Sequence, residues 1–300
     1  MSRTRQETCA PVAGLKWLEH RLNALATVAL HAGAVLAIVF VRPRWSDALI
    51  GAGFYLAGMF VITAGYHRYF AHRSYKTSRV FQAVLAMLGC LCTQKGALWW
   101  AATHRQHHRF TDTERDPHSP HQRGFWHSHI LWTLSSESDG HDPIGVRDLS
   151  RYPELRWLDR FFLVPPTVLA VVVVLVGLLL ERYAPGLRTS SLQMLVYGFG
   201  LSTVLLYHST FAVNSLTHVF GRRRFATKDH SRNNWLIALV TLGEGWHNNH
   251  HYYPASERQG FYWWEIDLTH YVLTVLAWCH IVWAVRTPSE RIYRVPIDPK

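Results

Sequence analysis

The sequence predicts an all-α integral membrane protein, with four transmembrane helices and a cytosolic helical cap that carries a histidine-rich dimetal site. Three observations lead there. Apolar residues make up 49% of the 300 positions, and they collect in runs of about 20, the length that crosses a bilayer core. Histidine recurs at i, i+3 and i+4 in His104-Arg-Gln-His107-His108 and again in His247-Asn-Asn-His250-His251, and a third pair, His67 and His72, follows an apolar run. On a helix those positions share one face. The formal net charge is +11, and the Lys and Arg residues lie beside the apolar runs. That placement suits cytoplasmic flanks of membrane spans and sets nucleic-acid binding aside.

Residues 1–21 read as a polar, basic cytosolic segment, followed by one membrane unit over 22–287 and a tail over 288–300. The first span is expected at 22–41 and the second at 48–66; the six residues between them force a tight antiparallel hairpin. Residues 67–159 then form a large polar stretch, expected as the first part of the cap. Its apolar interruption, 80–93, is short for a span and reads as a helix lying on or dipping into the interface. The third span is expected at 161–180, where Val164-Pro-Pro marks a helix start or bend, and the fourth at 192–213. Residues 214–287 complete the cap. Trp263 and Trp264 suit a headgroup-level belt, and 268–285 reads as an interfacial or core helix. Four spans return the chain to its starting side, so all the histidine clusters share one side. Cys9, Cys90, Cys92 and Cys279 form no paired framework and no CxxC site, which suits a reducing compartment for the polar part.

Imidazole suits Fe, Zn, Cu and Ni. His67, His72, His104, His107, His108, His247, His250 and His251, with His218 after the fourth span, exceed what one ion takes. Two ions with four or five nitrogen ligands each would use them, and one helical turn can feed both. His67 and His72 lie about 140° apart on an ideal helix, so that pair is expected where the helix frays or turns. Asn214, four before His218, could hold a metal-bound water. Carboxylates are scarce in the boxes, so Glu244, Asp116, Asp112 and Asp229 are expected to accept the outward ring N–H groups. His118, His121, His127, His129, His141 and His230 read as solvated or hydrogen-bonded cap residues, and His20, His31, His208, His270 and His280 as structural. Trp99 and Trp100 are candidates for the wall of a substrate tunnel.

His67-Arg-Tyr-Phe-Ala-His72, His104-Arg-Gln-His-His108, Asn214-Ser-Leu-Thr-His218 and Gly243-Glu-Gly-Trp-His-Asn-Asn-His-His251 together resemble the membrane fatty acid desaturases. The resemblance is strongest to the Δ9 acyl desaturases, the stearoyl-CoA desaturase-like enzymes of bacterial and plant type, and runs from about residue 22 to about 270. It implies a non-haem centre of two iron ions with dioxygen as co-substrate, held by the nine histidines and by Asn214 through water. One departure stands out. Ala102-Thr103 precede His104, where the animal acyl-CoA enzymes carry an Arg-Asp pair that helps hold the CoA end.

The activity so implied is insertion of a cis double bond, at Δ9, into a saturated acyl chain carried by CoA or by a lipid. An unactivated C–H bond has no acidic proton, so side-chain acid–base groups cannot open it and the metal must. The same scaffold could instead hydroxylate an acyl or alkyl chain. A metal transporter would need polar residues within the spans, which 22–41 and 161–180 hardly contain. No flavin, nicotinamide, haem or iron–sulfur signature is evident, so electrons must come from an external carrier of cytochrome b5, ferredoxin or rubredoxin type, with its reductase. Both termini and the metal site are expected on the cytoplasmic face, in a bacterial inner membrane, or in an endoplasmic reticulum or plastid membrane for a eukaryotic chain.

Overall fold

The computed structural model describes residues 13–140, 142 and 144–294, with side chains from residue 21 onward. Cys9, His141 and the His20 side chain, discussed above, lie outside it. Among the described residues, four helices are long and apolar enough to cross a membrane: Arg21–Phe40, Trp45–Ala71, Val164–Tyr183 and Ser191–Val219. Their outward faces expose Leu25, Val35, Val39, Val168, Val172 and Leu179, the pattern of helices that meet lipid rather than water. Arg79–Leu91 and Leu268–Trp278 are apolar helices of 13 and 11 residues, about 20 Å and 17 Å long and too short to span.

The second span runs further than hydropathy suggested. It continues past Tyr66 to Ala71 because its last part, Val61–Ala71, is a π-helix in which the polar residues are hidden inside the protein. This also corrects the expectation that the first histidine pair lies where a helix frays. A π-helix closes i→i+5 bonds, and the His72 N–H donates to the His67 carbonyl at 3.1 Å. Two histidines five apart therefore stand one above the other. The fourth span has a π segment too, Met194–Leu201, and extends to Val219, so that it includes His218. The first helix begins at Ala13 rather than after residue 21.

The loops after the first span and before the fourth meet at the end away from the histidines. Arg44 N–H donates to Asp47 at 2.7 Å, Arg44 Nη1 to the Arg188 carbonyl at 2.5 Å, and Gln193 Nε2 to Asp47 at 3.1 Å. At the opposite end the cap packs between the second and fourth spans. Two features were not expected. Lys76–Thr77 pairs antiparallel with Val282–Trp283 in a two-residue ladder, and Ile292, assigned above to the tail, is buried with Phe225 and Phe261 as part of the cap.

Candidate metal centre

Four separate pieces of chain deliver the histidines. The π segment supplies His67 and His72, and the helix Ala97–Phe110 supplies His104, His107 and His108. The end of the fourth span supplies His218, and the short helix His247–Tyr252 supplies His247, His250 and His251. Gly243 and Gly245 make the approach to that short helix possible. Gly243 has φ +126° with the Asp267 carboxylate against it, and a Cβ on Gly245 would collide with the backbone of Asn234 and Ala238. Asn248 then pins the helix by accepting from the N–H groups of Arg224 and Phe225 at 2.7 and 2.8 Å.

The rings gather into two groups, His67, His72, His104, His108 and His250 in one and His107, His218, His247 and His251 in the other. Within each group the nearest nitrogens all lie within 4.8 Å of one another. The helical spacing explains the division. In each HxxHH box the i and i+4 residues, 40° apart around the helix, share a group, while the i+3 residue, 60° to the other side, joins the second. His104 and His108 thus enter the group of five and His107 the group of four; His247 and His251 enter the group of four and His250 the group of five. The Nε2 atoms of His67 and His250 stand 3.1 Å apart, those of His72 and His104 2.8 Å, of His108 and His250 3.0 Å, and of His218 and His247 3.1 Å.

Each of the four carboxylates singled out in the sequence faces the outer nitrogen of one of these rings. His107 Nδ1 donates to Asp116 at 3.0 Å, His218 Nδ1 to Asp112 at 3.2 Å, His251 Nδ1 to Asp229 at 2.9 Å, and His67 Nδ1 to Glu244. Burial works against the charge on Asp112, Asp116 and Asp229, yet the facing imidazoles, helped by backbone N–H groups, hold all three far below the usual carboxylate range. The Nε2 lone pairs of those four rings are therefore turned inward. Burial, and then crowding by other imidazoles, pushes His72, His104, His108, His247 and His250 well below their ordinary value, so these rings are neutral and able to ligate.

Two cavities adjoin the groups. One of about 30 Å³ touches His67, His104, His247, Glu244 and Asn214, room enough for a water. The other, about 360 Å³, is walled by Trp99, Trp100, Trp132, Tyr207 and Phe211 and reaches His104 and Asn214. Trp100 stacks on His104 with ring centroids 5.0 Å apart, and Trp99 donates its indole N–H to the Ser138 carbonyl at 2.7 Å.

A family profile for fatty acid desaturases matches residues 43–280. The chain belongs to the fatty acid desaturase family. It is 37% identical to the sn-2 palmitoyl-lipid 9-desaturase of Nostoc sp. (strain 36), over 87% of each chain. It is 35% identical to a chloroplastic palmitoyl-monogalactosyldiacylglycerol delta-7 desaturase of Arabidopsis thaliana, over 92% of this chain and 71% of that one. It is also 37% identical to an acyl-CoA 5-desaturase of Anemone leveillei, over 82% and 74%.

The donor set of this desaturase fits metal ions. His251 commits Nδ1 to Asp229, and its buried Nε2 meets no donor. A lone pair enclosed in that way, beside three further imidazoles, suits a cation. At His107 burial works against a charged ring, but Asp116, with Asp112 and Asp229 beyond it, together more than offset this, so positive charge is drawn to that position as well.

Several residues of the site carried no signal in the sequence reading. Arg68, only 1% exposed, donates to Glu244, Glu257 and Asp267 at 2.9–3.2 Å. Gln259 Nε2 reaches His67 Nδ1 at 3.2 Å and Glu244 at 3.0 Å. Glu257 also accepts from His270 Nδ1 at 2.7 Å. His118, expected as a solvated or hydrogen-bonded cap residue, is not solvated: it is buried between His107 and Trp132 and lines the larger cavity. The Asp116 carboxylate accepts its backbone N–H at 3.1 Å and draws that turn inward.

Proposed function

We propose that the protein is an oxygen-dependent acyl desaturase that inserts a cis double bond, at Δ9, into a saturated acyl chain at a non-haem di-iron centre. His67, His72, His104, His108 and His250 would hold one iron, and His107, His218, His247 and His251 the other, with Asn214 joining through a water in the 30 Å³ cavity. Asp112, Asp116, Asp229 and Glu244 orient the rings from behind. The observation that carries the reading is the pairing of two imidazole groups with an aromatic-walled cavity that reaches His104 of the group of five, and Asn214 beside it. When bound, such a centre supplies hydrogen abstraction from an unactivated chain, with dioxygen as oxidant. The protein's own part is to hold the chain at fixed depth against His104 and Asn214 and to exclude water, with Trp99 and Trp100 as walls of the tunnel. Depth sets the bond position; position 9 is taken from the Nostoc relative, and relatives named for positions 5 and 7 make it the first property to measure.

An even number of spans and a cap rich in Arg and His favour both termini and the metal centre on the cytoplasmic face, in a bacterial inner membrane. Electrons would arrive from a cytochrome b5, ferredoxin or rubredoxin with its reductase, docking on the basic cap. Expression in a desaturase-deficient host, with mass spectrometry of the lipids and acyl-CoA pool, tests the activity. New cis bonds at position 9 are expected; a hydroxyl group on the chain would replace this reading.

The carboxylates give a second test. Asp116→Asn and Asp229→Asn keep the shape but weaken the hold on His107 and His251. Each is expected to lower metal affinity about 10–100-fold. Iron titration of the purified variants, with circular dichroism to verify folding, measures this; unchanged affinity in both would remove the orienting role.

A further inference from the structure

The 360 Å³ cavity runs from a buried inner end to a rim carried by two of the apolar spans. Its inner walls, Trp99, Trp132, Tyr207 and Phe211, are less than 10% exposed. Its outer rim is made of Asn23, Ala26, Thr27 and Leu30 on the first span and of Leu163, Thr167 and Ala170 at the third. Of these, Ala26, Leu163 and Thr167 are exposed. The first and third spans both pack on the Met194–Leu201 segment, and Phe199 of that segment forms the back of the gap between them. Residues 26–30 and 163–170 lie within about 15 Å of the metal-side ends of the apolar spans Arg21–Phe40 and Val164–Tyr183, and so in the half of the hydrocarbon core nearer the metals.

We propose that this gap is a lateral portal, through which an acyl chain still esterified to a membrane glycerolipid slides from the metal-side leaflet into the cavity. The proposal rests on the desaturase reading and narrows its substrate to the lipid-linked chain. The chemistry of the rim favours that substrate. A glycerolipid chain already lies at this depth and reaches the cavity without leaving hydrocarbon. A CoA thioester brings several phosphates, which need Lys or Arg donors where they settle. Among the described lining residues Lys95 is the one Lys or Arg, and it is engaged. Its Nζ donates to the Ser138 carbonyl at 2.7 Å, lies 3.7 Å from Asp139 and covers the Trp99 ring at 4.4 Å. What remains at the rim is uncharged, apolar or hydroxylic apart from the Asn23 amide, and Thr167 turns its hydroxyl back to the Leu163 carbonyl at 2.8 Å.

The test uses the full chain, loaded with iron, in phosphatidylcholine vesicles. One sample holds phosphatidylcholine whose sn-2 palmitoyl chain carries a photoreactive diazirine; the other holds the same chain as its CoA thioester. Light-induced labelling is mapped by peptide mass spectrometry. The lipid probe is expected to label Trp99 and Trp132, which lie inside the cavity and out of reach of surrounding lipid. Closing the rim with Ala26→Trp and Thr167→Trp is expected to cut that interior label at least tenfold, with iron content and circular dichroism unchanged. Ala170→Phe serves as a milder second closure should the double variant fold poorly. Interior label from the CoA probe alone, or interior lipid label that survives both closures, would overturn the proposal. The labelling is read without turnover. Absence of new double bonds alongside intact interior lipid labelling would count against the desaturase reading and leave the portal standing.

Discussion

His250→Ala and His247→Ala are each expected to abolish double-bond formation and to leave one iron per chain instead of two. The two rings stand on the same turn but point to different groups. His250 Nε2 lies 3.1 Å from His67 and 3.0 Å from His108, whereas His247 Nε2 lies 3.1 Å from His218. Removing either leaves three or four imidazoles in its own group and the other group whole. Activity should fall below detection because the proposed chemistry needs both irons together. Iron analysis of the purified variants, with lipid analysis of the expressing cells, measures both effects. Loss of both irons in both variants would mean that the two groups form one inseparable site, and retention of two would mean that these rings are not ligands.

Arg68→Met is expected to destabilise the cap by about 3–5 kcal/mol, the usual cost of removing one partner from a buried ion pair. Among the described residues the guanidinium is the one that contacts three carboxylates at once, of which Glu257 and Asp267 are fully buried. Without it those groups must protonate, move or admit water. Arg68 also clasps the loop after the third box to the π segment, donating to the Glu257 backbone carbonyl at 2.9 Å. Arg68→Lys keeps the charge but loses the planar fork that serves several acceptors at once, so an intermediate loss is expected. Thermal unfolding of the full chain in detergent, with and without iron, reads the effect. A melting temperature unchanged in Arg68→Met would show that the network contributes nothing to stability.

The grouping of the histidine boxes was legible in the sequence because their information is local. A spacing of i, i+3, i+4 fixes directions on a helix wherever that helix goes, and the two boxes divide between the groups as that geometry requires. The spans were legible as apolar runs, but their ends were not. Hydropathy stops at Tyr66, where His67 and Arg68 begin, while the helix continues because Glu244, Glu257 and Asp267 neutralise Arg68 from nearly 200 residues away. No local signal announces partners at that separation. The π-helix was hidden for a related reason, since a shift from i→i+4 to i→i+5 bonding leaves the residue pattern unchanged while rotating every side chain after it. The four carboxylates could be named from chemical need. Their pairing, and the role of Gln259 beside Glu244, came only from the folded arrangement.

The central claim is that nine imidazoles hold two iron ions in one enclosed centre. Iron content of the purified full chain, measured together with X-ray absorption at the iron edge, tests it most directly. The account predicts two irons per chain, with a first shell dominated by nitrogen and a second iron nearby. A chain that folds and carries one isolated iron, or a shell dominated by oxygen or sulfur, would contradict it.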